Sequence, residues 1–209
     1  MGEILKFPAQ ASKLGFKRVR KRASAEDRDQ LDLFPAPRAQ ILSFESGLTP
    51  FEQALMLDER GDFKAADLYL KAIEEQICAA DSYCNLGIIE SKQGNTVKAF
   101  DCFSSALQHE PRHAEAHYNL ANLYFEIDDF RLARLHYEMA GQVDPSFANA
   151  FFNLSLVLAI TNDFDAALIA LKRYRALVPE EDARIAEDLL QNLRKSLART
   201  SGCDPKHAG

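Results

Sequence analysis

The sequence lacks the residue patterns that build most catalytic and metal sites. Its four cysteines (Cys78, Cys84, Cys102 and Cys203) form no CxxC pair and have no zinc-ligand spacing, so we interpret them as small buried side chains or inert thiols. A phosphate-binding loop, an HExxH motif, a GxSxG motif and paired carboxylates in a plausible cleft are all missing. We therefore predict a protein that is not an enzyme and that has no catalytic residue, metal or cofactor.

Long apolar segments are missing as well. The apolar run at residues 156–160 is far shorter than the roughly 20 residues that span a bilayer. The first ten residues, MGEILKFPAQ, lack the uninterrupted apolar core of a signal peptide because Lys6 and Pro8 break it. We expect no membrane span and a cytoplasmic location.

Negative charge is scarce at the N-terminus, although the whole chain has a net charge of −6. Residues 1–28 hold eight basic and three acidic side chains, a net charge of +5, so the remainder carries −11. Residues 1–46 also contain Pro8, Pro35 and Pro37 and show no sustained apolar period. We expect them to form a basic, mostly disordered arm, and residues 201–209 a disordered tail.

From residue 84 onward the chain repeats itself every 34 residues, which settles its organisation. The segments CNLGIIESKQGN (84–95), YNLANLYFEIDD (118–129) and FNLSLVLAITND (152–163) align without gaps. The matching columns are Leu86, Leu120 and Leu154; Gly87, Ala121 and Ser155; Ala99, Ala133 and Ala167; Phe103, Tyr137 and Leu171; and Pro111, Pro145 and Pro179. A weaker upstream copy runs one residue short, with Cys78 in place of proline and, in the matching columns, Ala54, Leu57, Gly61, Ala66 and Leu70.

Each unit divides into two helices. The turn between them contains residues that tolerate a left-handed backbone, namely Gly61, Gly94, Asp128 and Asn162. Each is followed by a natural N-cap for the second helix, namely Asp62, Asn95, Asp129 and Asp163. Thr49, Pro50 and Glu52 predict a capping box where the first helix starts. The predicted units are 47–79, 80–113, 114–147 and 148–181, with a capping helix at 182–200.

These columns resemble the tetratricopeptide repeat family, whose 34-residue helix-turn-helix units stack into a superhelix. The resemblance implies an all-α protein, a right-handed α-solenoid of about four units plus a C-terminal capping helix and a flexible N-terminal arm. Two columns depart from the pattern. Glu90 stands where the other units have Tyr124 and Leu158, which predicts looser packing of its unit, and Tyr174 replaces an alanine.

The resemblance further implies a non-enzymatic adaptor or scaffold that binds a peptide or helix in a concave groove formed by the first helices. The positions that it places in the groove are Asn85, Ile88, Tyr118, Asn119, Asn122, Phe125, Asn149, Phe152 and Asn153. The same face carries Asp81, Glu115 and Glu126, with Lys92 as its one basic residue, so we do not expect it to clamp an acidic chaperone tail.

Asn85, Asn119 and Asn153 recur every 34 residues and predict a ladder along an exposed groove. Asparagine is a poor helix former, and its amide can both donate to and accept from a peptide backbone. The alternative is that repeat duplication copied the residue without selection for binding. Asn122 has no asparagine counterpart, because Ile88 and Leu156 share its column, so it is the better single test. His117 is expected to be a packed side chain rather than a metal ligand.

The arm holds two further motifs. The cluster KRVRKR, from Lys17 to Arg22, has the charge to bind nucleic acid or an anionic surface, but no aromatic residues are interleaved with it. We favour a solvated tail, and a third option is that the arm folds back on the acidic repeats. QLDLF resembles the pentapeptide that docks bacterial replication and repair proteins on the sliding clamp. Such docking would use Gln30 at the pocket edge and Leu33 and Phe34 inside the pocket, whereas the alternative is that Leu31, Leu33 and Phe34 anchor the tail to the first repeat.

Overall fold

The computed structural model describes residues 47–180, 184 and 186–193. The basic arm, its KRVRKR and QLDLF motifs and the C-terminal tail lie outside the described residues, so the predictions made for them stay predictions. The described residues contain helices and no strand. The helices are α1 (Pro50–Glu59), α2 (Lys64–Glu74), α3 (Ala79–Lys92), α4 (Thr96–His109), α5 (Ala114–Glu126), α6 (Phe130–Val143), α7 (Ala148–Ile160) and α8 (Phe164–Leu177). Residues 184 and 186–193 are also helical.

The local signals in the sequence set the first helix start and the turns. Thr49 and Glu52 form the predicted capping box, in which the Thr49 side chain accepts from the Glu52 amide and the Glu52 carboxylate accepts from the Thr49 amide. The four turn residues all adopt the predicted left-handed backbone, with φ values of 72° at Gly61, 80° at Gly94, 60° at Asp128 and 62° at Asn162.

Only two of the four predicted caps work as expected. Asp129 and Asp163 accept from the backbone N–H groups of Leu132 and Ala166. Asn95 does not cap α4, because its amide donates to the Glu90 carboxylate at 2.7 Å instead. In the first unit Phe63 is the N-cap of α2, and Asp62 accepts from the amide of Lys64.

The first unit also differs in register. The sequence alignment placed Ala66 and Leu70 in the core columns, but Leu70 is 47% exposed. Ala65, Tyr69 and Ala72 fill the core instead. The residue that this unit lacks is missing between Gly61 and the second helix, and one residue rotates a helix face by about 100°.

The four helix pairs pack in chain order, each on the next. A core cluster lies between α1 and α2, a second is built by α3, α4 and α5, and a third runs from α5 to α8 and on to residues 186–193. Ala186, Leu189, Leu190 and Leu193 of the last helical segment are buried in that third cluster, where they cover α7 and α8. The predicted solenoid with a capping helix is therefore confirmed, while the bounds proposed for the individual units stay predictions.

In the part of the chain that the structure describes, no helix has the length and apolar character needed to cross a bilayer.

Candidate functional site

The first helices of the units lie on the inner side of the stack. α3 and α5 contact each other directly, in addition to their contacts with the second helices beside them. Side chains also join successive first helices, since Asn119 on α5 contacts Cys84 on α3, and Asn153 on α7 contacts Tyr118 on α5. The predicted groove positions therefore lie together along one side of the stack.

The asparagine ladder exists, but the prediction that it is exposed is wrong. The side chains of Asn85, Asn119 and Asn153 are buried, with Asn119 completely hidden and Asn153 4% exposed. Asn153 donates to the hydroxyl of Tyr118 at 3.1 Å and to that of Tyr137 at 3.3 Å, whereas Asn119 donates to the sulfur of Cys84 at 3.7 Å. Each of these two amides reaches back to the preceding unit.

The missed signal is a second column, 16 residues before each asparagine, that contains Tyr69, Phe103 and Tyr137. Burial raises the pKa of Tyr69, and a hydrogen bond from the side chain of Asn85 opposes part of that rise. Tyr137 faces Asn153 in the same way. Phe103 has no hydroxyl group to offer Asn119, which binds Cys84 instead. The ladder therefore joins neighbouring units, and whether it also contacts a peptide stays a prediction.

Asn122 is fully buried at the centre of the largest polar network. Its Oδ1 accepts from the hydroxyl of Tyr137 at 2.6 Å and from Nδ2 of Asn153 at 3.1 Å. Burial raises the pKa of Tyr118, which also belongs to this network, to about 12. The expectation of an exposed Asn122 is wrong, because the residue faces the junction of α5, α6 and α7. Replacing Asn122 or Asn153 would therefore disturb the stack itself, and neither substitution is a clean test of recognition.

The predicted groove residues divide by exposure. Ile88 and Tyr118 are buried in the core, which corrects their placement on an open surface. Phe125, Asn149 and Phe152 are half-buried and keep some accessible surface. Phe125 packs edge-on against Phe130, with ring centroids 5.7 Å apart, and Phe152 packs against Tyr174 at 5.0 Å. These contacts hold both rings in place.

The charged groups of this side are acidic on balance. Glu126 and Lys92 are exposed, and Glu115 is half-buried. Burial raises the pKa of Glu126, so its carboxylate is partly shielded from solvent. Asp81 is buried and lies 3.2 Å from Nε2 of His113. Because Nδ1 of His113 accepts from the backbone N–H of Ala116, its proton is on Nε2 and is donated to Asp81.

His117 is packed, as predicted. Its Nε2 lies 3.1 Å from the carbonyl oxygen of Pro111, and its Nδ1 lies 3.0 Å from Nδ1 of His136. Burial lowers the pKa of both rings, that of His136 to about 4, and each is disfavoured as a cation by a neighbouring histidine. Across residues 47–180, 184 and 186–193, no three His, Cys, Asp or Glu side chains are grouped to hold a metal ion.

The cysteine side chains match their expected inert character. Cys78, Cys84 and Cys102 are free thiols. Burial raises the pKa of Cys84, and it raises that of Cys102 to about 11, so neither group ionises readily at neutral pH. Cys203 lies outside the described residues.

Comparisons with known proteins agree with this architecture. Two tetratricopeptide repeat family models match residues 91–145 and 120–182. Tetratricopeptide repeat protein 8 of Mus musculus is 32% identical over 111 residues, which are 53% of this chain and 22% of that protein. Anaphase-promoting complex subunit 3 of Schizosaccharomyces pombe is 25% identical over 118 residues, which are 56% of this chain and 18% of that protein. The chain thus spans about a fifth of the length of these relatives.

Solved structures show the same fold. The first repeat domain of Spaghetti (RPAP3), bound to an HSP90 peptide, has a TM-score of 0.52 and 22% identity and covers 57% of this chain and 93% of its own. MamA has a TM-score of 0.55 and 19% identity, with coverage of 71% and 86%. With the 34-residue register, the helix pairs and the left-handed turns, these matches show that the chain belongs to the tetratricopeptide repeat family.

Proposed function

We propose that this protein is a non-enzymatic scaffold for protein–protein interaction, and that the inner side of its stack binds a peptide or helix of a partner. One observation supports this most directly. Two half-buried aromatic rings, Phe125 and Phe152, sit on successive first helices above a fixed network of buried amides and hydroxyls. Rings that are held in place before binding lose little conformational freedom when a ligand packs on them.

The charge of this side indicates which segments suit it. Glu115 and Glu126 face an approaching ligand, with Lys92 as the basic residue nearby in the sequence pattern. A carboxylate-rich peptide would be repelled, whereas a neutral or basic segment with one apolar side chain would be attracted. The HSP90 peptide SRMEEVD in the Spaghetti structure contains acidic residues, so we expect this chain to prefer a different class of peptide.

The polar network gives the proposed groove its rigidity. Tyr118, Asn122, Tyr137 and Asn153 fix α5, α6 and α7 relative to one another through hydrogen bonds of 2.6–3.3 Å. Buried and mutually satisfied networks of this kind specify one packing arrangement. The asparagines then act on ligand binding by positioning the helices that carry Phe125 and Phe152.

The test uses peptides selected from a random display library with the full-length protein. We expect the double variant Phe125→Ala/Glu126→Lys to lose at least about tenfold in affinity for the selected peptides, equivalent to about 1.4 kcal/mol. The matched control is Val97→Ala/Asp101→Lys, which makes the same two changes at exposed positions of the second helix α4. Equal loss in both variants, or in neither, would contradict binding at the inner side.

Sliding-clamp docking through QLDLF, with a role as a replication or repair accessory, remains the second hypothesis. It rests on Gln30, Leu31, Leu33 and Phe34 alone, which lie outside the described residues, and no relative reported above bears on it. Cytoplasmic location likewise stays a prediction.

A further inference from the structure

The polar floor of the inner side is more thoroughly hidden than a single-layer stack would suggest. A solenoid of helix pairs has no second layer over its first helices, yet Asn119 and Asn122 have no exposed surface in the 209-residue chain. The amide nitrogens of Asn85 and Asn122 are buried and make no hydrogen bond within the described part of the chain. Leaving a buried donor unpaired costs about 1–3 kcal/mol. Both observations are accounted for if another segment lies along this side and offers backbone carbonyl groups.

Charge indicates which segment that is. The inner side carries Glu115 and Glu126, and the chain after residue 28 has a net charge of −11. Residues 1–28 have a net charge of +5, with five of their basic side chains between Lys17 and Arg22. Opposite net charges within one chain attract over roughly 10 Å at moderate salt.

The connection makes the encounter intramolecular. The arm joins the repeats at Thr49, the N-cap of α1, and α1 is itself a first helix. Forty-six extended residues reach up to about 150 Å, well beyond the length of four stacked helix pairs whose axes lie about 10 Å apart. A tethered segment experiences a local concentration in the millimolar range, so even weak charge complementarity fills the groove.

We propose that residues 1–28 of this chain bind along the inner side of its own repeats, next to Glu115 and Glu126, and compete with the partner peptide. This inference rests on the proposed function of the inner side. It adds that the scaffold is self-occupied and that a partner must displace the arm. If the arm occupies the groove nine-tenths of the time, the apparent affinity for a partner falls about tenfold.

Carbodiimide cross-linking of the dilute full-length protein tests the contact. This reagent joins lysine amines to carboxylates only where the two touch. We expect amide links from Lys13, Lys17 or Lys21 to Glu115 or Glu126, and few to Asp67 and Asp101, which are exposed on the second helices. A mixture of isotope-labelled and unlabelled protein separates the possible sources. Links within one copy support the proposal, whereas links between copies, or equal yields at Asp67 and Asp101, overturn it.

Competition is tested with two charge-reversed full-length variants. Replacing the five basic residues of the cluster, K17E/R18E/R20E/K21E/R22E, should tighten binding of the library-selected peptides about tenfold by freeing the groove. The control reverses five exposed basic residues of the repeats and so changes the net charge equally: K64E/K71E/R112E/R131E/K172E. Unchanged affinity in the arm variant overturns self-occupation, while loss of binding in Phe125→Ala/Glu126→Lys still supports the groove. The two proposals therefore fail separately.

Discussion

At the scale of single residues, the feature that most affects this protein is the meeting of four polar side chains from three helices. Tyr118 and Asn122 come from α5, Tyr137 from α6 and Asn153 from α7. The shortest hydrogen bond runs from the Tyr137 hydroxyl to Oδ1 of Asn122, at 2.6 Å. A polar group in a core is stabilising only while its partners are present, so each member depends on the others.

Tyr137→Phe tests this dependence with the smallest possible change, the loss of one oxygen. We expect the free energy of unfolding to fall by about 1 to 2 kcal/mol, because Asn122 loses a donor and Asn153 loses one of its acceptors. Urea denaturation followed by circular dichroism measures the difference. Tyr124→Phe, at a half-buried ring stacked on His136 with no hydroxyl hydrogen bond of its own among those described above, is the control and should change stability much less. Equal losses would contradict the network.

At the scale of helices, the approach of the two helices in a unit is set by pairs of residues 16 apart. Gly87 faces Phe103, whereas the following units pair Ala121 with Tyr137 and Ser155 with Leu171. A Cβ atom on Gly87 would lie 2.7 Å from Cε1 of Phe103 and 3.1 Å from Cβ of Cys102. Phe103 is fully buried, so its ring has little room to move. The glycine thus accommodates the large ring opposite it.

Gly87→Ala should therefore destabilise the protein by about 1 kcal/mol, although alanine is the better helix former by a similar amount. The steric cost is specific to Phe103, which a double-mutant cycle with Phe103→Leu reveals. We expect the double variant to be more stable than the sum of the two single effects, because leucine leaves room for the new methyl group. Strict additivity of the three urea-derived values would exclude the contact as the cause.

At the scale of the whole molecule, the two ends of the stack differ. At the C-terminal end, residues 186–193 cover α7 and α8 with Ala186, Leu189, Leu190 and Leu193. At the other end the described residues leave a cavity of about 240 Å³, lined by Leu48, Gln53, Met56, Leu57, Arg60 and Leu68. Because each unit is stabilised mainly by its neighbours, the covered end carries a larger share of the stability.

Leu193→Ala tests this covering role. We expect a loss of about 2 to 5 kcal/mol, since the side chain is fully buried, with faster amide hydrogen exchange that is greatest in α7 and α8. Leu177→Ala is the matched control at a position 39% exposed on α8. Faster exchange that is uniform from α1 to α8 would show that the stack unfolds as one unit and that the end has no special role.

The fold was accessible from the sequence because its determinants are local and repeated. Gly94, Asp128 and Asn162 tolerate the left-handed turn, and Thr49 with Glu52 marks the first helix, whatever lies beyond them. Three units of equal length confirm one another. The first unit shows the limit of this reasoning, since one missing residue left two alignments of α2 open, and only the burial of Tyr69 decided between them.

The sequence by itself determined that helix pairs stack with a 34-residue period and that Asn85, Asn119 and Asn153 share one side. Only the tertiary structure decided that these amides are buried against the preceding unit, where Tyr137 and Cys84 accept their hydrogen bonds. The physical reason is that periodicity specifies the direction in which a side chain points from its helix. What it meets there depends on the distance and rotation between units, which are set by packing partners far away in the chain.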